Sequence, residues 1–351
     1  MRWRLSGPAR VAFAVVVALA ACKKAPPPPP EPPPEPARSA VTPHTYGYAD
    51  GGNRVDEWSA LARTDASPWH YSPDAAPSVT EADFVESAPK FGASVGHTSV
   101  VFKLTFASGQ KAAFKPATRR GPLRYKGEIA AYRLARALDV DTVPPAYFRA
   151  MSRAELAGVL PGEAGELFAK EAIVEADAVR GAVIPWIAQL EFIALEAEPW
   201  WSRWRGWLKR DGKIPDDARS LARDASVMVV FDFLTGNWDR WSGANIGLDR
   251  AGGRLRFIDN DGAFFETPPA AALAKNRRLL GEVERFSKGL VAKLRAMDED
   301  ALALAIGDET PGRPLLSDKV LEGVNGRRLE ALRVVDAKIK SAGEAETLYF
   351  E

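Results

Sequence analysis

The 351-residue chain predicts an α+β fold in two lobes, a small mixed lobe followed by a larger helical one. Three observations lead there. Two β-rich runs flank a turn signal at residues 107–110. One amphipathic helical pattern follows them. Beyond residue 216 helical periodicity dominates, interrupted by two short strand-like runs.

Ser99 to Phe106 alternates in part between apolar and polar residues and reads as a strand. Ala107-Ser108-Gly109-Gln110 is a turn, and Lys111 to Lys115 returns as the second strand of a hairpin. Before it, the small-residue stretch Phe91 to Thr98 contains Gly92 and Gly96. Such a loop can bring backbone amides close to phosphate, which makes Gly96 a candidate contact. Gly127 to Leu138 predicts a helix with Ile129, Tyr132, Leu134 and Leu138 facing inward, and Val143-Pro144-Pro145 stops it. Pro185 to Leu208 predicts a helix rich in tryptophan (Trp186, Trp200, Trp201, Trp204, Trp207), read as packing or as a sugar-stacking face. Asp216 to Leu234 is a long helix ended by Thr235-Gly236-Asn237. Ile246-Gly247-Leu248 and Leu255 to Ile258 are short strands around a glycine turn. Helices over 281–296, 298–306 and 318–341 complete the larger lobe, and the tail from Glu344 to Glu351 reads as loosely attached.

The N-terminus stands apart from the fold. A basic start (Arg2, Arg4, Arg10) precedes an apolar run from Val11 to Ala21. That run has the length of a signal-peptide core and is short of the roughly 20 residues a membrane span needs. Leu19-Ala20-Ala21-Cys22 resembles a bacterial lipobox, so Cys22 is expected to carry a lipid anchor. Cys22 is the chain's one cysteine, so no internal disulfide can support the folded part. Lys23 after it favours the outer membrane, periplasmic or surface-exposed. The proline run Pro26 to Pro36 can form neither helix nor sheet; extended at about 3.1 Å per residue it would hold the domain roughly 35 Å from the lipid. These features divide the chain into a signal peptide (1–21), a lipid-anchored tether and lead-in (22–80) and a folded domain (81–345).

The net charge of +1 gives no basis for nucleic-acid binding. The three histidines (His44, His70, His97) are scattered and lack zinc-site spacing. The chain contains no nucleophile elbow, Walker A loop or dinucleotide-binding fingerprint. What stands out is an ordered set: Lys115 at a strand end, Glu128 on the next helix, then Phe231-Asp232-Phe233-Leu234 through Asp239-Arg240 to Asn245, closing at Phe257-Ile258-Asp259-Asn260-Asp261-Gly262. Each has a use in phosphoryl transfer. The lysine can neutralise phosphates and the glutamate can orient it. A loop aspartate can take a hydroxyl proton, and a following asparagine and a later aspartate can hold a divalent metal.

Glu128-Ile129-Ala130-Ala131-Tyr132-Arg133-Leu134 with Val143-Pro144-Pro145, the segment 231–240 and Ile258-Asp259-Asn260 resemble, in matching order, the Fam20 and four-jointed secretory-pathway kinases. HipA-type, spore-coat CotH-type and phosphoinositide kinases are more distantly similar. The resemblance spans roughly 90–300 and implies an atypical two-lobed protein-kinase-like fold. It implies ATP with Mn²⁺ or Mg²⁺, Lys115 and Glu128 at the phosphates, Asp239 as catalytic aspartate, and Asp259 with Asn245 at the metal. Where eukaryotic Fam20 proteins have histidines after the Asp-Arg pair, this chain has Trp241 and Ser242.

The expected activity is phosphorylation of a hydroxyl, on protein Ser/Thr or on a glycan, in the cell envelope. Two other readings stay open: a catalytically inactive kinase-like binding or scaffold lipoprotein, and a glycan-binding surface protein that uses the Trp186-to-Trp207 aromatics.

Overall fold

A computed structural model describes residues 80–95, 99–187, 190–242, 245–249 and 253–351. The signal-like segment, Cys22, the proline run, the lead-in to residue 79 and Gly96 lie outside the described residues.

The smaller lobe is built on one antiparallel sheet. After a short helix α1 (Ala82–Val85), strands β1 (Pro89–Ser94), β2 (Phe102–Phe106) and β3 (Lys111–Pro116) run as a meander. The expected hairpin is present, with Phe102 opposite Phe114 and Leu104 opposite Ala112. Alternation in β2 sends Phe102, Leu104 and Phe106 into the core and leaves Lys103 and Thr105 half-buried. Helix α2 (Arg124–Ala137) follows. Residues 146–184, which the sequence patterns leave unassigned, supply β4 (Tyr147–Ser152), α3 (Arg153–Val159), α4 (Gly162–Glu171) and β5 (Ala178–Pro185). β5 pairs with both β3 and β4, giving the order β1-β2-β3-β5-β4. Phe102, Phe114, Tyr147 and Phe168 are central to this lobe's apolar core.

α2 belongs to two cores. Tyr132 packs with the sheet side, while Ile129, Leu134 and Leu138 join the larger cluster of the second lobe. Its far side is tied to the second lobe by polar contacts. Arg133 Nη1 donates to the carbonyls of Ile306 (2.6 Å) and Asp308 (2.7 Å), and Tyr125 donates to the buried Glu309 at 2.5 Å.

The larger lobe surrounds α6 (Arg219–Thr235), which follows α5 (Trp200–Trp207). From Ala225 to Thr235 every α6 residue is buried, as expected of a helix enclosed on all sides. Strand β6 (Leu190–Phe192) pairs with β7 (Ile246–Asp249), which pairs with β8 (Arg254–Phe257). Arg254 bridges Asp224 on α6 and Asp141 in the turn after α2, and Asp224 also accepts from the Leu255 amide at 2.9 Å. This fork fastens β8, and so the segment that follows it, to α6. Helices α7 (Ala270–Glu282), α8 (Lys288–Ala296) and α9 (Glu299–Ile306), the small pair β9 (Asp308–Thr310) and β10 (Arg313–Pro314), and α10 (Asp318–Ala342) with α11 (Glu344–Thr347) complete the lobe. No helix among the described residues is long and apolar enough to cross a membrane.

Three expectations are corrected. The Pro185–Leu208 helix is confined to Trp200–Trp207, because residues before it pair as β5 and β6. Within α5, Trp204 and Trp207 are buried, and Trp204 stacks on Trp241 at 5.9 Å. The 281–296 helix is broken between Glu282 and Lys288, where Ser287 caps α8 by accepting from the Leu290 amide. The tail is docked rather than loose. Phe286 and Lys288 donate amides to Thr347 and Phe350, the Phe350 amide returns to Phe286, and Phe350 is 2% exposed. The same backbone pairing that holds the tail keeps 283–287 out of helix.

Phe350→Ala is therefore expected to lower the free energy of unfolding by about 3 kcal/mol, the usual range for deleting a buried phenylalanine side chain. Equilibrium urea denaturation measures it, and a change below 1 kcal/mol would mean the tail is not part of the core.

Candidate active site

α6 ends at Thr235, followed by Gly236 in the left-handed region, and the next amide, Asn237, still donates to the Asp232 carbonyl at 3.0 Å. The chain then turns. Asn237 Oδ1 accepts from the Asp239 amide at 3.0 Å, and Asn245 Nδ2 donates to the Asp239 carbonyl at 2.8 Å. Asp239 is thus held at both backbone ends while its side chain stays half-buried. Asn276 on α7 supports the turn from behind, donating to the carbonyls of Asn237 and Asp232.

The partner of Arg240 is Asp232, one helical segment back, and not its neighbour Asp239. The guanidinium is fully buried. Nε donates to both Asp232 oxygens at 3.1 Å, Nη1 to the carbonyls of Asn245 and Ile258 at 2.6 Å, and Nη2 to Asn260 Oδ1 at 2.5 Å. Burial pushes the Asp232 carboxyl up to about 6, against the pull of Arg240. One side chain therefore joins α6, the loop of Asp239 and Asn245, the end of β8 and the Asp259–Gly262 turn.

That turn begins with Asp259 in the left-handed region, φ +55°, a conformation short polar residues tolerate better than others. Two glycines allow its close approach to both neighbours. A Cβ on Gly127 of α2 would stand 2.8 Å from the Asn260 carbonyl oxygen. A Cβ on Gly262 would stand 2.8 Å from Asp239 Cβ and 3.1 Å from Asn237 Oδ1. Any larger residue at either position would push the turn from α2 or from Asp239.

Three of the residues read from the sequence, Lys115, Glu128 and Asp259, meet here, and Asp261 joins them. Lys115 Nζ, at the end of β3, donates to Glu128 Oε1 on α2 at 2.5 Å and to Asp259 Oδ1, and lies 3.4 Å from Asp261 Oδ2. Burial opposes the lysine's charge, but Glu128, Asp259 and Asp261 overcome it and hold the ammonium above its ordinary pKa. Asp259 is held below the usual carboxylate range, since Lys115, Arg124 and Arg240 outweigh its burial. Glu128, Asp261 and Asp239 are raised, each first by burial and then by neighbouring carboxylates that their cations do not fully offset. Asn245 reaches the same loop through its contact with Asp239.

Glu128, Asp259 and Asp261 present oxygens within 4.8 Å of one another. With Asp239, four carboxylates share Lys115 and Arg124, an excess of negative charge. All-oxygen donors with such an excess suit a hard divalent cation such as Mg²⁺ or Mn²⁺. The sequence reading names Asp259 but gives no role to Asp261, although the two stand two residues apart in one acidic turn. It also passes over Arg124, one helical turn before Glu128 and on the same face. Arg124 Nη2 donates to Asp261 Oδ1 at 2.6 Å.

Removing Arg240 would leave Asp232 buried and unpaired. Arg240→Met is expected to cost about 3–5 kcal/mol of stability in urea denaturation, and the double variant Arg240→Met/Asp232→Leu to recover much of it. Strictly additive losses would show that charge burial is not what the pair resolves.

Neither a comparison with protein-family models nor one with curated proteins finds a match to this sequence. Solved structures do resemble it. The Golgi casein kinase with Mn/ADP bound is similar with a TM-score of 0.55 and 15% identity, over 76% of this chain and 77% of that one. The hydra Fam20 structure with sugar is similar with a TM-score of 0.56 and 18% identity, over 84% of this chain and 97% of that one. The two lobes, the sheet carrying Lys115, the Glu128 helix between the lobes and the paired loops of Asp239 and Asp259 thus make up a Fam20-like kinase fold.

Proposed function

We propose that this protein is an ATP-dependent phosphotransferase that phosphorylates a hydroxyl, on protein Ser/Thr or on a glycan, in the cell envelope, where Cys22 anchors it to the membrane by lipid. The observation that carries the reading is the convergence on one point of Lys115, Glu128, Asp259 and Asp261, with the Asp239 loop packed against the same turn. The Mn and ADP of the Golgi casein kinase structure agree with this donor chemistry, and the sugar of the hydra Fam20 structure agrees with a glycan acceptor.

In this reading Lys115, oriented by Glu128, binds the α- and β-phosphates of ATP. Glu128, Asp259 and Asp261 are the residues that would hold the metal, with Asn245 as a further candidate oxygen donor. A divalent cation held there would supply charge neutralisation for the phosphates. Asp239 accepts the acceptor's hydroxyl proton, and its basicity is raised by burial and by the charges of Asp259 and Asp261. The hydroxyl oxygen forms a bond to the γ-phosphorus as the bond from that phosphorus to the β–γ bridging oxygen breaks. ADP leaves with the electron pair. No covalent enzyme intermediate is needed, so rigid placement of these groups is the protein's main contribution.

The test is transfer of label from γ-phosphate-labelled ATP, with Mn²⁺ or Mg²⁺, to an envelope-protein extract, to a glycan extract and to the protein itself. Asp239→Ala is expected to lower transfer by about 10²–10⁴-fold, as for loss of a general base. Asp259→Ala is expected to abolish transfer together with metal-dependent ATP binding. A folded wild-type protein that binds ATP and labels none of these acceptors would sink the transferase reading in favour of a nucleotide-binding module.

A further inference from the structure

In phosphoryl transfer charge is spread over the equatorial oxygens of the γ-phosphoryl group, and an arginine can stabilise it in addition to a metal ion. Among the described residues, Lys115, Arg124 and Arg240 are the cations whose charge acts on Asp259. Lys115 is enclosed by Glu128, Asp259 and Asp261. Arg240 is fully buried and its nitrogens are engaged by Asp232, Asn245, Ile258 and Asn260. Arg240 has no free side to offer, and Lys115 is committed to the α- and β-phosphates in the reading above.

Arg124 differs from both. Its side chain is one-third exposed and lines a recess with Lys115, Thr118, Arg120, Gly121 and Asp261. Nη2 is held by Asp261, while Nε is buried without a hydrogen-bond partner among the described residues. The guanidinium lies 5.8 Å from the ring centre of Trp238, the residue before Asp239. It thus spans from the metal turn to the catalytic loop, and its charge acts on Asp239, Asp259 and Asp261 alike. Its position on the first turn of α2, four residues before Glu128, couples it to the helix that orients Lys115.

We infer that Arg124 is a catalytic residue of the phosphotransferase proposed above: an arginine supplied from within the chain that binds the γ-phosphoryl oxygens of a nucleoside triphosphate and stabilises them during transfer. Asp261 steadies one arm of the guanidinium, Trp238 stands 5.8 Å from it on the side of the catalytic loop, and the exposed third of the side chain faces the recess. A planar fork of this kind suits phosphate oxygens better than a lysine ammonium does. The role rests on the reading of the site as an ATP-dependent phosphotransferase.

The test compares full-length wild type with Arg124→Met and Arg124→Lys, in detergent with Mn²⁺. Calorimetry reads the affinities for ADP and for a non-hydrolysable ATP analogue; labelled ATP reads transfer. Both variants are expected to keep ADP affinity within about twofold and to lose about tenfold in affinity for the triphosphate analogue. The transfer rate is expected to fall by about 10³-fold or more, the lower end of what a transition-state arginine contributes. Free guanidinium is expected to restore part of the rate to a third variant, Arg124→Ala, which leaves room for it. Equal losses of ADP and triphosphate affinity, or an unchanged rate, would overturn the inference while leaving the phosphotransferase reading intact. So would variants whose only defect is a lower melting temperature. A wild type that binds neither nucleotide would overturn both.

Discussion

The buried pair of Arg240 and Asp232 is the constraint on which the rest of this site depends. A guanidinium removed from water is costly unless its donors are met, and here carboxylate, carbonyl and amide oxygens from four segments meet them. The result is geometric more than energetic. Because the acceptors belong to α6, the Asp239 loop, the end of β8 and the Asp259 turn, satisfying one side chain sets the relative position of all four. Asp239 and Asp259 lie 20 residues apart in sequence, yet their loops are placed by the same group.

Around that pin the packing is tight in the two places where a side chain would intrude. Gly127 lets α2 lie directly on the carbonyls of the Asp259 turn, and Gly262 lets that turn lie against Asp239. α2 carries Glu128 into the lysine pair and is itself shared between the two apolar cores. Its contacts to Ile306, Asp308 and Glu309 extend the same restraint to the far end of the larger lobe. The Lys115–Glu128 pair is thus a consequence of helix placement, since neither residue has backbone contacts that would bring them together. The charge balance follows from this crowding. Carboxylates outnumber the cations that face them, and the raised Glu128, Asp239 and Asp261 mark where a further positive group is electrostatically favoured.

The fold was legible in sequence wherever a local period carried it. The β2–β3 hairpin, α2, the core helix α6 and the β7–β8 pair stand where alternation or helical spacing places them. The failures were of another kind. The tryptophan-rich stretch has helical composition, yet β6 is drawn into pairing with β7. The 281–296 pattern continues through a segment that the docked tail holds extended. Residues 146–184 contain short elements whose apolar faces make sense only against the sheet they complete.

For the site, the sequence by itself determined the kinds of residue and their order. Lys115, Glu128, Asp239, Asn245 and Asp259 can be picked out because each sits at a strand end, helix turn or loop with a recognisable local pattern. It could not determine partners. Lys115 and Asp261 are 146 positions apart and meet only because both lobes close on α2. Arg240 could as readily have paired with the adjacent Asp239, and burial beneath β8 turned it to Asp232 instead. Asp261 and Arg124 drew no attention in sequence because a carboxylate in a turn and an arginine on a first helical turn are common surface features. Local periodicity is written in neighbouring residues. The choice of partner for a charged group is made by the desolvation that packing imposes, and that exists only in the folded chain.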